Sequence, residues 1–395
     1  MRNIWKPFQS LYFAALMMLI GSGLLSTYLA LRLAADHVDS LWIGALMAAN
    51  YFGLAVGGKV GHRLIGRVGH IRAYATCAGI VCAAVLGHGL TSWLPAWIGL
   101  RMIVGLGMMC QYMVIESWLN EQADAKHRGA VFSGYMIASY LGLVLGQLIL
   151  VVHPQLGPEL LMLVAMCFAL CLVPVAMTRR IHPAPLRPAP MEPKFFIKRV
   201  PQSLSTVLGS GLIVGSFYGL APLYATSQGM STEQIGLFMG SCILAGLVVQ
   251  WPLGWLSDRY SNDHVESERR VSLTAMLLVT YGVGACIGPL AAGVLMKLLG
   301  PQMLYAFFVF FALVLVWRIR PKAVTGLHQV QDAPLGHVAM PAAGSPLSAA
   351  LDPRVDEQTV QEVMQTPVAA EDTEADEKGV EPSVQPGAEV DKSVS

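Results

Sequence analysis

Ten segments of this chain are each apolar for about 20 residues, the length of helix that crosses a hydrocarbon core about 30 Å thick. They run approximately 10–32, 41–61, 72–91, 94–119, 131–152, 159–177, 204–224, 235–257, 271–298 and 300–319. Stretches of that length belong in a bilayer, where each backbone group must find its partner inside the protein and a helix supplies that partner within its own segment. The expected fold class is therefore an all-α, multi-pass membrane protein. The first segment is too long for the apolar part of a signal peptide and lacks a convincing cleavage site, so it also counts as a span. Composition enters as support: 54% of the 395 residues are hydrophobic and 13% charged, about half the charge of a soluble domain. An ordinary soluble globule, a secreted disulfide scaffold and a nucleic-acid binder are excluded.

Charge orients the bundle. The last 71 residues, from Thr325, carry 13 acids against 3 bases, and the preceding body carries 12 acids against 23 bases. The formal net charge of +1 thus joins a body at +11 to a tail at −10. If the N-terminus is cytoplasmic, 20 of the 23 body bases fall on the inward side, with Arg32, Arg101 and Lys297 the exceptions. The positive-inside rule then puts both termini in the cytoplasm. Trp42, Trp93, Trp97, Trp118, Trp255 and Trp317 stand near span ends, where interfacial anchors are expected. Residues 178–203 hold six prolines and several bases and read as a cytoplasmic linker. Residues 321–395 have no apolar periodicity and are expected to form a disordered acidic cytoplasmic tail.

No catalytic constellation is visible. The seven cysteines lie in apolar stretches with no CxxC and no neighbouring His, so neither metal nor cofactor is expected. Gly53-Leu-Ala-Val-Gly-Gly58-Lys59 imitates a phosphate-binding loop, but Val60 stands where the magnesium-binding hydroxyl should be. Glycines recur at four-residue spacing: Gly53/Gly57/Gly61, Gly142/Gly146, Gly211/Gly215/Gly219 and Gly284/Gly288. Small residues stacked on one helical face let backbones approach closely, which indicates a packed bundle.

After the eighth span comes Gly254-Trp-Leu256-Ser-Asp258-Arg259-Tyr-Ser261. It resembles the G-x-L-a-D-R-x-G-R-R loop of the major facilitator superfamily (MFS), which joins the second and third helices of each half. The first half has His62-Arg63-Leu64-Ile65-Gly66-Arg67-Val68-Gly69 at the matching place, a degenerate copy. Arg101, Gly105 and Gly107 resemble the family's R-x-x-x-G-x-G pattern. Together with Glu116-Ser117 and His127-Arg128-Gly129, they make residues 10–320 similar to the YcaD branch of that superfamily. The resemblance implies two helical halves rocking about a central cavity lined by the first, fourth, seventh and tenth helices.

Such a family has twelve helices, and ten are counted here. Residues 120–147 align without gaps with residues 262–289 at an offset of 142, which pairs Gly142 with Gly284 and Gly146 with Gly288. The signature loops align at an offset of 192, Gly69 with Ser261. The second half is thus 50 residues shorter between these landmarks, room for two spans and a turn. In family terms the ninth and tenth helices are missing. The expected organisation is a six-helix half (1–177), the linker, a shortened four-helix half (204–320) and the tail.

The resemblance implies a secondary active transporter of an unknown small solute in a bacterial inner membrane. Export and proton coupling are the expected mode, and a monomer the expected form. The alternative is a non-transporting or impaired protein, because two helices are absent. Arg101 lies about 10 Å inside its span, where it either serves substrate or protons or bonds carbonyls of the first two spans. Glu116 is expected to make a cytoplasmic gate ion pair near Arg67 and Arg128, or else to couple protons. Arg63, Arg67, Gly69, Arg128, Gly254, Asp258 and Arg259 form the candidate gate and signature loops. Gly288-Pro289 resembles an antiporter-type motif and equally suits a kinked, closely packed helix. Tyr112, Tyr135, Tyr140, Gln147, Tyr218 and Tyr281 could turn polar tips into a cavity, unranked by the sequence.

Overall fold

The computed structural model describes residues 6–123, 127–177, 193–260 and 270–318, and among these every regular element is helical. A short 3-10 turn (Lys6–Phe8) leads into α1 (Gln9–Ala35), followed by α2 (Ser40–Val68), α3 (His70–Leu90), α4 (Leu94–Gln122) and α5 (Arg128–Val152). Next come α6 (Glu159–Leu170), α7 (Leu172–Ala176), α8 (Pro193–Arg199), α9 (Pro201–Ser227), α10 (Thr232–Tyr260), α11 (Arg270–Leu299) and α12 (Met303–Arg318). The tail 321–395, linker residues 178–192 and the junction 261–269 lie outside the described residues.

Among the described residues, nine helical segments are long and apolar enough to cross a membrane, with α6 and α7 together making one. The tenth expected span, α12, has 16 residues and is short for a crossing. Three glycines end helices with positive φ: Gly69 (82°) after α2, Gly229 (79°) after α9 and Gly300 (101°) after α11. The α6–α7 break precedes Pro174, which has no N–H for the Leu170 carbonyl. The described end of the expected linker is helical. It forms α8, whose Phe196 is fully buried in a cluster with Val200 and Leu204. Two of the expected interfacial tryptophans are corrected as well. Trp118 is fully buried beside His70, and Trp97 is buried with its indole N–H donating to the Thr91 carbonyl at 2.7 Å. Both belong to the face of α4 that packs inward, which their nearness to a span end conceals.

Helix packing repeats within the chain. A Cβ on Gly142 of α5 would lie 2.7 Å from the Leu16 carbonyl oxygen of α1, and one on Gly146 would lie 2.6 Å from that of Ile20. On α11, Gly284 and Gly288 stand tighter still against the carbonyls of Leu208 and Leu212 on α9. Leu208 and Leu212 are Leu16 and Ile20 displaced by 192; Gly284 and Gly288 are Gly142 and Gly146 displaced by 142. The second seam obeys the same two displacements. Gly44 of α2 meets the Pro289 carbonyl of α11, and Gly236 of α10 meets the Gln147 carbonyl of α5. Backbone approach at this range gains dispersion and Cα–H···O contacts that a larger side chain would prevent.

Not everything is repeated. On α2, Gly57 and Gly61 receive Met109 and Met113 of α4, and Gly105 of α4 sits on the Asn50 carbonyl. α3 packs on the far side of α4. The partners of α10 are chiefly α5 and, less, α9. Leu244, Val248 and Val249 of α10 remain exposed. The most apolar stretch of α10 is accordingly 28% buried, against 50% for that of α2.

Candidate functional site

Where the two repeated helix pairs meet, a cavity of about 160 Å³ opens between them. Ser22, Ser26 and Thr27 reach it from α1, Asn50 and Tyr51 from α2, and Tyr112 from α4. From α5 come Tyr135, Ser139, Tyr140 and Gln147. On the other side stand Tyr218 of α9, Ile243 of α10 and Tyr281 of α11. All six polar candidates that the sequence leaves unranked therefore line one space. Ser22, Ser26, Asn50, Tyr51 and Ser139 were missed. Their available signal was polarity at mid-span, with Ser22 and Ser26 one turn apart on one helical face.

Among the described residues no charged side chain lines this cavity. Two stand directly behind its wall. Arg101 is 1% exposed, and its Nη2 donates to the hydroxyl of Ser26. Its Nε and Nη1 are buried with no hydrogen-bond partner, and among the described residues no carboxylate pairs with it. Its hydrogen bond to Ser26 thus ties α4 to the first span through a hydroxyl rather than a carbonyl. Glu116, fully buried, accepts a hydrogen bond from the Tyr135 hydroxyl at 3.1 Å. Fifteen residues of α4 separate Arg101 from Glu116, about 22 Å along the axis, so they do not neutralise each other. Of the two bases expected near Glu116, Arg67 is exposed on the last turn of α2, and the side chain of Arg128 lies outside the described ones.

Hydrogen bonds fix several wall residues. Gln147 donates from Nε2 to the Gly23 carbonyl at 3.0 Å, which sets its amide orientation and leaves Oε1 unpaired. Ser26 in turn bonds the Ser22 carbonyl at 3.0 Å. At the start of α2, Ser40 donates to the Gly293 carbonyl at 2.8 Å, and Lys297 pairs with Asp39 at 2.7 Å, closing the α2–α11 seam at that end. Both partners of the ion pair are about half exposed, so its contribution is small. Of the signature positions, Arg63 is exposed on α2 and Gly69 is the left-handed link to α3. Gly254, Asp258 and Arg259 fall in the last turns of α10 and Arg128 opens α5; the side chains there lie outside the described ones. The packing candidates Gly105, Gly107, Gly142, Gly146, Gly284 and Gly288 all face another helix at contact distance.

The sequence model of the Major Facilitator Superfamily matches residues 11–264. An uncharacterised MFS-type transporter of Enterobacter sp. (strain 638) is 25% identical over 367 positions, covering 80% of this chain and 96% of the relative. Eighty per cent of 395 residues is about 316, so about 50 of those positions have no residue of this chain opposite them. The uncharacterised MFS-type transporter YcaD of Escherichia fergusonii is 25% identical over 352 positions, covering 76% and 91%. In fold, the chain is similar to a variant of the nucleoside transporter NupG, with TM-score 0.66 and 12% identity over 79% of this chain and 99% of that one. It is also similar to a bacterial homologue of the human lysosomal transporter Spinster, with TM-score 0.55 and 12% identity over 80% of each chain.

Proposed function

The chain belongs to the Major Facilitator Superfamily, and from that premise we propose that it is a secondary active transporter of a small solute, exporting it by alternating access with protons as coupling ion. One observation carries the reading: a cavity walled by uncharged polar and tyrosine side chains lies between two helix seams related by internal repetition. Such seams can open and close around a fixed site without repacking either half. With the N-terminus inside, the Asp39–Lys297 end faces outward, and the conformer is closed on that side. Arg101, Glu116, Gln147 and Tyr218 are the proposed substrate and coupling residues, and the signature positions from Arg63 to Arg259 the cytoplasmic gate. The site of action is a bacterial inner membrane.

A second reading follows from the thin cover of α10. In it the halves contain six and four helices, counterparts of α3 and α4 are absent from the second, and the protein transports weakly or not at all. The repeated 192 and 142 displacements and the thin cover of α10 support the shortened half. Accumulation of a panel of radiolabelled small solutes in inside-out vesicles separates the readings. Uptake driven by a proton gradient and absent from vesicles lacking the chain sustains the transporter. No uptake across the panel, with the protein inserted and folded, sustains the second.

A further inference from the structure

Resting on the transporter reading, the geometry points to a substrate class: a small ring-bearing solute with one anionic group, held with Arg101 as its counter-charge. Arg101 keeps its charge almost wholly out of solvent, with two of its three guanidinium nitrogens unpartnered and no described carboxylate beside it. An isolated buried cation costs several kcal/mol unless a counter-charge or further hydrogen bonds offset it. The one hydrogen bond it makes is to Ser26, and Ser26 is part of the cavity wall. An anion that takes the place of the Ser22 carbonyl as acceptor of the Ser26 hydroxyl proton would therefore stand one side chain from the guanidinium, in a medium where such attraction is little screened.

The rest of the wall limits the other end of the solute. Tyr112, Tyr140, Tyr218 and Tyr281 offer ring faces and hydroxyl tips. Aromatic walls favour a flat or ring-shaped body by stacking and edge contacts. A cavity of about 150 Å³ holds one benzene-sized ring, and this one is of that size at about 160 Å³. Among the described residues no acidic side chain lines the space to repel an anion. Glu116 stands behind the Tyr135 hydroxyl as Arg101 stands behind Ser26, but about 22 Å along α4 from it, so an anion at Ser26 has Arg101 as the nearer charge. A cationic solute seated at Ser26 would meet the field of Arg101, with the carboxyl of Glu116 about 22 Å away along α4. A neutral ring would fit but leave the guanidinium unbalanced.

The test uses the purified full-length chain in lipid nanodiscs and two matched probe pairs, benzoate with benzamide and phenylacetate with phenylacetamide. Each pair has one shape and differs in charge. Titration calorimetry on the native chain should give carboxylate binding tighter than amide binding by about tenfold or more, the scale of a charge-assisted contact. In Arg101→Gln the preference should vanish, and in Arg101→Lys part of it should remain. Equal binding within the pairs, binding of neither member, or a preference that survives Arg101→Gln overturns the inference. Because the native chain alone supplies the first comparison, a variant that fails to fold does not rescue it. Carboxylate preference without transport would sink the transporter reading alone. Transport of a neutral solute with no carboxylate preference would sink this inference alone.

Discussion

Alanine at Gly44 tests whether the α2–α11 seam is a moving part. An added Cβ there would fall on the backbone carbonyl of Pro289, well inside contact distance, with no flexible side chain to yield. Relief requires the helices to part. Overpacking of this kind costs about 1–3 kcal/mol. If that cost falls only on the conformer with this end closed, the equilibrium shifts toward opening by about 5–150-fold. Two controls come from the same structure. Gly236, the repeat of Gly44, would place its Cβ 2.9 Å from the Gln147 oxygen, so Gly236→Ala should act in the same direction but less. Gly58 has nothing within 4 Å, so Gly58→Ala should do nothing. Nitroxide labels on Ala35 and Gln302, both exposed near this end, report the opening by pulsed electron resonance. Longer distances in Gly44→Ala, shorter gains in Gly236→Ala and none in Gly58→Ala are expected. An unchanged distribution in Gly44→Ala, or an equal shift in Gly58→Ala, refutes a seam that opens.

Three further outcomes are expected. Glu116→Gln should change the conformational bias measured with the same labels while solute binding persists; binding that becomes independent of pH would instead assign Glu116 to proton coupling. A two-span insert between Ser261 and Asn262 should raise both the unfolding temperature and the transport rate, by covering α10; equal transport by the chain as it stands would make the four-helix half a working design. A phosphatase that is active only outside the cytoplasm should be silent when fused after Ser395, and activity there would reverse the orientation.

Much of the helical layout was legible because long apolar runs in a bilayer leave the backbone little choice. The ends were less so. The second span was expected to stop at residue 61, yet α2 continues to Val68. The basic stretch from His62 to Arg67 looks like a loop by polarity, but nothing in it breaks a helix until Gly69 adopts positive φ. The α6–α7 break was invisible for the opposite reason: Pro174 sits in a run whose hydropathy never falters. For the site, residue type told which side chains are costly to bury but not which way they turn. Arg101 and Glu116 were found because charges in spans are conspicuous; that they stand behind Ser26 and Tyr135, outside the cavity itself, depends on helix rotation. Repetition was the most informative signal. One of the two alignment offsets paired Gly142 with Gly284 and Gly146 with Gly288, and the structure sets each pair on carbonyls related by the other offset, because close backbone packing needs glycine at fixed positions on both copies.

A guanidinium held inside a bilayer without a carboxylate at its side is also a charge in the membrane's electric field. Carrying one elementary charge across the whole of a 100 mV potential changes the energy by about 2.3 kcal/mol, and a partial traverse takes a proportional share. If α4 shifts along the membrane normal as the halves rock, Arg101 moves through part of that drop. With the Glu116 carboxyl on the same helix protonated, an empty carrier would then be electrically driven in one direction and hindered in the other. Occupancy by an anion would cancel the charge and leave the loaded step indifferent to voltage. The return of the empty carrier is thus the step on which potential acts, and the slope of turnover against voltage measures how far Arg101 travels.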